Sequence, residues 1–253
     1  MPEAGALNRV NTPERLRQRV ACNLLASVDF DRFVHDLLEP SGDDIALDIG
    51  PGLGKQLIPI AATVRRIVGL DSSPEMIAAL GARISGPNVE VVGGSMDDLA
   101  DLDLGGPFTL VYSVYSLYYS ADPARVVEAV ARLLEGPRAR FVVVAPDLGN
   151  NLEWYSDLAR IHDLPTDVLE VSRICRRVVL PAFLDVFRTV KRSLLRSELR
   201  FPTLEDLMRY YDACAPYCLA ERRDEAQEHF RAKFEREGGY RISRRSLGLI
   251  GRR

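Results

Sequence analysis

The stretch Ile45-Ala46-Leu47-Asp48-Ile49-Gly50-Pro51-Gly52-Leu53-Gly54 constrains the fold of this chain more than any other. Its apolar run suits a strand buried on both faces. Three glycines at alternate positions then let the backbone turn close to a neighbour that side chains would block. Residues 53–64 are patterned as a helix. A glycine-rich turn between a parallel strand and a helix lies at the carboxyl edge of a sheet, where open α/β folds take nucleotides and nucleosides. The spacing is G-x-G-x-G, with Lys55 where the dinucleotide fingerprint would have its third glycine. Asp48, just ahead of the glycines, would repel a pyrophosphate and accept a hydrogen bond from an ammonium group. The ligand these residues imply is a cationic nucleoside rather than NAD.

The rest of the chain reads as support for that turn. Thr12-Pro13-Glu14 opens a first helix, with a capping residue, a proline at the first helical position and an acid in the first turn. It should run to about residue 25. A second helix from about residue 29 places Phe30, Phe33, Val34, Leu37 and Leu38 on one face, and Pro40-Ser41-Gly42 ends it. His35 lies off that stripe and reads as solvated. After the first strand and helix, strand patterns at 66–71, 89–92, 108–114 and 139–145 alternate with helical ones. Past Pro146 the pattern changes. Helical stretches at 151–162 and 166–177 lead through Pro181 and an apolar segment to a long strand over 188–201. Helices at 203–213 and 224–237 and a last strand over 240–250 follow.

A chain of 253 residues, 47% of them hydrophobic, can bury one substantial core and suits a single α/β domain with elaborations better than two independent domains. No stretch approaches the roughly 18 apolar residues of a membrane span. The opening Met1-Pro2-Glu3-Ala4-Gly5 lacks the basic and apolar regions of a signal peptide, so the expectation is a cytoplasmic protein with no membrane partner. Cys22, Cys175, Cys214 and Cys218 include one C-x-x-x-C pair but no second pair to complete a zinc site, so no metal is expected. Residues 1–149 hold 13 basic and 20 acidic side chains and residues 150–253 hold 20 and 16, giving −7 and +4. That excess is far below the concentrated basic face of a nucleic-acid binder.

Further candidate site residues fall at the ends of the later strands. Asp71 closes the second strand 21 residues beyond Gly50, where an acid accepts from ribose hydroxyls in dinucleotide enzymes and methyltransferases alike, and Ser72 follows it. Gly94-Ser95-Met96 follows the third strand. Ser113 and the tyrosines Tyr115, Tyr118 and Tyr119 follow the fourth, while Tyr112 shares a strand face with Leu110 and Val114 and reads as core.

Taken together, Asp48 with Gly50, Gly52 and Gly54, Asp71 at the second strand end, Gly94-Ser95-Met96 at the third and Tyr112 to Tyr119 at the fourth resemble class I S-adenosylmethionine-dependent methyltransferases, over about residues 40–147. The chain looks most like the small-molecule group related to ubiquinone and menaquinone biosynthesis methyltransferases. The resemblance implies a Rossmann-like α/β fold: a mostly parallel seven-stranded sheet with an antiparallel edge hairpin, N-terminal helices and a helical cap. The single domain would then comprise an arm at 12–39, a cofactor-binding core at 40–147, cap insertions at 148–187 and 202–238, and final strands at 188–201 and 239–252.

The resemblance further implies that Asp48 and the glycines hold the amino acid end of S-adenosylmethionine, Asp71 and Ser72 the ribose, and Ser95 and Met96 the adenine, with Ser113 a further cofactor-binding residue. Many family members have Asp where this chain has Ser95, so backbone contacts at Met96 or the carboxylate of Asp97 would have to serve. The Asn/Asp-Pro-Pro-Tyr signature of many amino-methylating enzymes is absent, Tyr112-Ser113-Val114-Tyr115 standing in its place, which turns the reading away from nucleic acid and toward a small-molecule acceptor. Tyr115, Tyr119, Trp154 and Tyr155 are the expected substrate contacts, and Asn23, Phe30 and Phe33 of the arm could face the ligand.

An oxygen or carbon nucleophile would need a base. His162, at helical spacing from Leu152, Tyr155, Leu158 and Ala159, is read as a core histidine or, as the best placed of the three, as that base, with Tyr118 the alternative. His229 reads as a surface residue. Arg173, Arg176, Arg177, Arg188, Lys191 and Arg192 read as a solvated charged face rather than an anion site. An RNA methyltransferase and a cofactor-binding scaffold without transferase activity are the competing readings.

Overall fold

A computed structural model describes residues 12–164, 166–214 and 218–253. Residues 1–11, which carry the signal-peptide argument, lie outside them. In chain order the elements are α1 (Pro13–Ala21), α2 (Phe30–Leu38), β1 (Ile45–Ile49), α3 (Leu57–Ala61), β2 (Arg66–Asp71), α4 (Pro74–Gly81), β3 (Val89–Gly93), β4 (Leu110–Val114), α5 (Pro123–Leu133) and β5 (Arg140–Pro146). They continue with α6 (Leu152–Leu158), α7 (Thr166–Ile174), α8 (Leu180–Val186), β6 (Thr189–Phe201), α9 (Leu204–Ala213), α10 (Arg223–Glu237) and β7 (Tyr240–Arg252). The seven strands form one sheet in the order β3-β2-β1-β4-β5-β7-β6, parallel from β3 to β5 with antiparallel edge strands. This is the Rossmann-like architecture that the resemblance implied.

The chain divides into two compact units, and β6 and β7 contribute to both. The larger comprises residues 31–145, 174–194 and 247–253. Its strands β1, β2, β4 and β5 are buried on both faces, β5 along its whole length, which explains their apolar runs. Phe141 of β5 stacks on Phe183 of α8 with ring centroids 5.1 Å apart. Arg140, at the start of that apolar strand, is only 1% exposed. Its guanidinium donates to both Asp44 carboxylate oxygens, at 3.1 and 2.9 Å, and to the carbonyls of Leu38 and Glu39 at the end of α2. Burial by itself would raise the Asp44 pKa. The hydrogen bonds from Arg140 and Thr109 and the guanidinium charge outweigh it and hold the carboxyl below its ordinary value.

Two expectations are corrected in this unit. The helix expected over 53–64 is confined to Leu57–Ala61, because Gly50, Gly52 and Gly54 all have positive φ and keep the chain in turns up to Gln56. The segment around Pro181, expected only as an apolar connection, is helical. A π-helical turn, Cys175–Val179, joins α7 to α8. Proline lacks the donor of an ordinary helical turn and its ring crowds the carbonyl four residues back. The wider turn just before Pro181 accommodates both.

The smaller unit comprises described residues up to 30 together with 146–173 and 195–246. Its core is aromatic. Trp154 of α6 is fully buried, stacked on Phe230 at 5.2 Å and edge-on to Tyr211 and Tyr240. The buried face of α6 is therefore Trp154, Asp157 and Leu158, with Ile161 just beyond it. Leu152, expected on the buried stripe, is 58% exposed, and Ala159 is exposed too. Asp157 turns inward because it has partners there: Lys233, the Tyr240 hydroxyl at 2.6 Å and His229 Nε2 at 3.0 Å. His229 is thus a half-buried member of a polar cluster and not the surface residue expected. Among the described residues no helix is long and apolar enough to cross a membrane.

Candidate active site

In the larger unit the strand order reverses between β1 and β4, and the carboxyl ends of these strands flank the point where open α/β sheets hold ligands. Asp48 sits there, one residue from the end of β1. It is 2% exposed, and no basic side chain among the described residues pairs with it. Burial pushes its pKa up to about 8, with a contribution from the Asp71 charge, while the neighbouring Tyr112 hydroxyl pulls the other way. Tyr112 is wholly buried, as its place on the strand face implied.

The turn after β1 is fixed from several sides. Gly50, Gly52 and Gly54 have φ of +77°, +54° and +74°. The Gly50 amide donates to the Leu70 carbonyl at 2.8 Å, and a Cβ at Gly50 would collide with the side chain of Ser116. Ser116 Oγ donates to the Ile49 carbonyl at 2.5 Å and lies 2.6 Å from Ser113 Oγ. Ser113 and Ser116 thus lock the loop after β4 onto the end of β1. At the end of β2, Asp71 accepts the Gly52 N–H and the Ser73 N–H, both at 3.0 Å, so one carboxylate braces the glycine turn and the start of α4. Ser72, between them, is exposed. From α2, Asp31 accepts from Lys55 Nζ and Gln56 Nε2, each at 2.9 Å, and ties the helix ahead of β1 to the residues after the glycines.

Beyond β3, Ser95 Oγ accepts the Asp97 N–H at 3.1 Å and opens a short 3₁₀ turn, Met96–Asp98. The Asp97 carboxylate is already engaged by Ser120 Oγ and, at 3.1 Å, by the Ala121 N–H. Asp97 is therefore committed to holding the loop after β4 onto this turn. After β4, Tyr115 has φ of +57°, an uncommon conformation for a bulky residue and one that gathers at functional sites. Its N–H donates to the Val144 carbonyl at 2.7 Å, and the Tyr118 and Tyr119 rings lie 4.6 Å apart beyond it, both half-buried.

The expected residues Asp48, Gly50, Gly52, Gly54, Asp71, Ser72, Ser95, Met96, Ser113, Tyr115, Tyr118 and Tyr119 thus all lie at the carboxyl ends of the strands of one unit or on the loops that follow them. Trp154, Tyr155 and His162 belong to the other. Trp154 is core, and its ring offers no surface to a substrate, which corrects its expected role. Tyr155 is half-buried with its hydroxyl 3.4 Å from Asn151 Nδ2. His162 has Nδ1 3.1 Å from the Asp163 carbonyl and a buried Nε2 without a partner among the described residues. Sequence reasoning missed Ser116 and Asp31. Ser116 carries no pattern of its own, and Asp31 is one of several acids on the polar side of α2.

Comparison with known proteins agrees with this geometry. A profile describing a methyltransferase domain matches residues 46–136, which run from β1 past α5 and include Asp48, the glycines and Asp71. Over residues 46–136 the chain is thus similar to a methyltransferase domain. It is 25% identical over 185 residues to ribosomal RNA small subunit methyltransferase A of Aromatoleum aromaticum, covering 66% of this chain and 70% of that protein. It is 29% identical over 157 residues to an uncharacterized methyltransferase of Mycobacterium bovis, covering 62% and 59%. Across the curated relatives the matches span from about a quarter to 70% of their lengths. A putative methyltransferase of Bacillus halodurans superposes with a TM-score of 0.61 at 15% identity, covering 88% of this chain and 98% of that one, so the methyltransferase fold extends well beyond the matched domain.

Proposed function

We propose that this chain binds S-adenosylmethionine at the carboxyl edge of β1, β2 and β4 and transfers its methyl group to a small-molecule acceptor. The observation that carries the reading is Asp48, a buried acid with no basic partner among the described residues, set beside three positive-φ glycines that turn the backbone sharply at the end of β1. Such a cradle fits the ammonium of an amino acid carried by a nucleoside. Asp71 and Ser72 would hold the ribose, Ser95 and the Met96 backbone the adenine, and Ser113 would position the loop through Ser116.

The bound sulfonium supplies an already activated methyl, so the protein's task is to align a nucleophile in line with it and to exclude water. Tyr115, Tyr118 and Tyr119 are proposed to contact the acceptor. His162 or Tyr118 would take a proton where the nucleophile carries one, and a neutral amine would need neither. If His162 is the base, His162→Ala lowers turnover by about 10² to 10⁴ with cofactor affinity unchanged. A melting curve on the same sample separates this from unfolding. The ribose assignment has its own expected outcome: Asp71→Ala should weaken cofactor binding about tenfold or more, measured by calorimetry on folded protein.

A second reading, an RNA acceptor, is favoured by the similarity to ribosomal RNA small subunit methyltransferase A. Incubation with methyl-labelled S-adenosylmethionine, a metabolite extract and total RNA in parallel tests both. Label in the small-molecule fraction supports the proposal, and label in RNA alone replaces it with the second reading. Label in neither fraction, with intact cofactor binding, would favour a scaffold.

A further inference from the structure

Beside Asp48 stands a hydroxyl that the packing of β4 does not explain. In the register of the sheet Asp48 lies opposite Gly69 of β2 on one side and Tyr112 of β4 on the other. Paired residues of neighbouring parallel strands project to the same face, so the Tyr112 ring and the Asp48 side chain run alongside each other. Gly69 offers no side chain, which leaves Tyr112 as the polar group that meets Asp48 across the sheet. The other group acting on Asp48 is the Asp71 charge at the end of β2, whose two oxygens already accept the Gly52 and Ser73 N–H groups.

A tyrosine here is costly unless its hydroxyl has a use. Tyr112 and Asp48 are both buried, and Leu110 and Val111 around them are wholly so. Phenylalanine would fill the same space, whereas a hydroxyl taken out of water without a partner costs free energy. The Tyr112 hydroxyl comes near enough to the Asp48 carboxyl to bias its ionisation, yet it completes no aligned hydrogen bond with any described residue. A bond from this phenol to a protonated acid is an ordinary one. To a carboxylate it is charge-assisted and roughly twice as strong. Burial, with the Asp48 charge beside it, holds the Tyr112 pKa well above its usual value, so the phenol keeps the proton it would donate.

We propose that Tyr112 is the positioning residue for Asp48: as Asp48 releases its proton to solvent, the Tyr112 hydroxyl donates to the carboxylate and fixes it toward the ammonium of the bound ligand. This role rests on the cofactor reading of Asp48 given above. Without the hydroxyl, burial and the Asp71 charge would act on Asp48 unopposed, and both favour the protonated acid. An arriving ammonium would then meet a carboxyl that is harder to ionise.

Carbon-13 NMR of the ligand-free chain with labelled aspartate carboxyls reads the ionisation of Asp48 directly, its signal being the one missing from Asp48→Asn. The wild-type signal should titrate near pH 8, and that of Tyr112→Phe about one pH unit or more higher. Calorimetry at pH 7 with S-adenosylhomocysteine should show about tenfold weaker binding by Tyr112→Phe than by wild type, and little further loss when Tyr112→Phe is added to Asp48→Asn. A ring that merely packs would leave the NMR midpoint unmoved and weaken binding equally in both backgrounds. Either of those results overturns the role of Tyr112 and leaves the cofactor reading standing. A wild type that binds neither S-adenosylmethionine nor S-adenosylhomocysteine overturns the cofactor reading, and the role in binding with it, even where the midpoint moves.

Discussion

Asp48→Asn should make the ligand-free protein harder to melt at pH 8 while removing most of its affinity for S-adenosylmethionine. The folded protein holds the Asp48 proton up to about pH 8, whereas an unfolded chain releases it near the ordinary carboxyl value of 3.8. Between those values the native state binds the extra proton. Stability is therefore greatest below pH 4 and declines as pH rises to about 8, by on the order of 5 kcal/mol at most. Asparagine has no proton to lose and escapes that decline. The variant should match the wild type near pH 4 and exceed it at pH 8, with a melting temperature higher by on the order of 10 °C. A charge-assisted hydrogen bond to the ammonium is lost at the same time, which costs about 1.5–3 kcal/mol of binding, or roughly tenfold to a hundredfold in affinity. Melting curves at pH 4 and 8 with calorimetry on the same preparations check both halves. A variant less stable than wild type at pH 8 would mean that the Asp48 carboxylate is compensated in the free protein.

The second large effect concerns Arg140, whose replacement by leucine should destabilise the fold by about 3–5 kcal/mol. The loss is not only of an ion pair. Asp44, 2% exposed, would remain as an uncompensated charge, and the carbonyls of Leu38 and Glu39 would lose their donors. The pH dependence follows from the lowered Asp44 pKa. Its contribution is present above the ordinary carboxylate value and is lost as pH falls through the folded value. In Arg140→Leu that acid-side loss should vanish, because a carboxyl buried without its guanidinium prefers to be protonated. Denaturant titration of wild type, Arg140→Leu and Arg140→Leu/Asp44→Leu measures the terms, and the double variant should recover part of the stability. An Arg140→Leu protein as stable as wild type would remove the pair from the account of how α2 is held to the sheet.

The parts legible in sequence and the parts that were not divide along a physical line. β1, β2, β4 and β5 could be read almost to the residue because buried parallel strands leave unbroken apolar runs between breakers. The glycine turn was legible for a similar reason, since only glycine takes positive φ at three alternate positions without strain. Arg140 was hidden inside such a run, because a buried charge is intelligible only through partners brought from residues 38, 39 and 44. The inward face of α6 was misjudged for a related reason. Asp157 reads as a polar position until Lys233, Tyr240 and His229 are placed against it, and together they convert a charged residue into a core one. Helix α8 was not assigned because the segment after Pro181 showed only an apolar run, and the π turn before it has no local signature. At the proposed site, Asp48 and Asp71, which close β1 and β2, could be named in advance from the strand pattern. Ser116 and Asp31, which position the loops around them, act through contacts 67 and 25 residues away in sequence, beyond the reach of any short pattern.

The central claim, that the edge of β1 and β2 is built for a cationic nucleoside and not for a dinucleotide, is tested most directly by calorimetry of the unmodified protein with three ligands: S-adenosylmethionine, its demethylated product S-adenosylhomocysteine, and NAD. Saturable heat is expected from the first two and none from NAD. At pH 7 the binding heat should also change with the ionisation enthalpy of the buffer, because Asp48 gives up its proton as the ammonium arrives. Saturable binding of NAD, with no heat from S-adenosylmethionine or S-adenosylhomocysteine, would contradict the account.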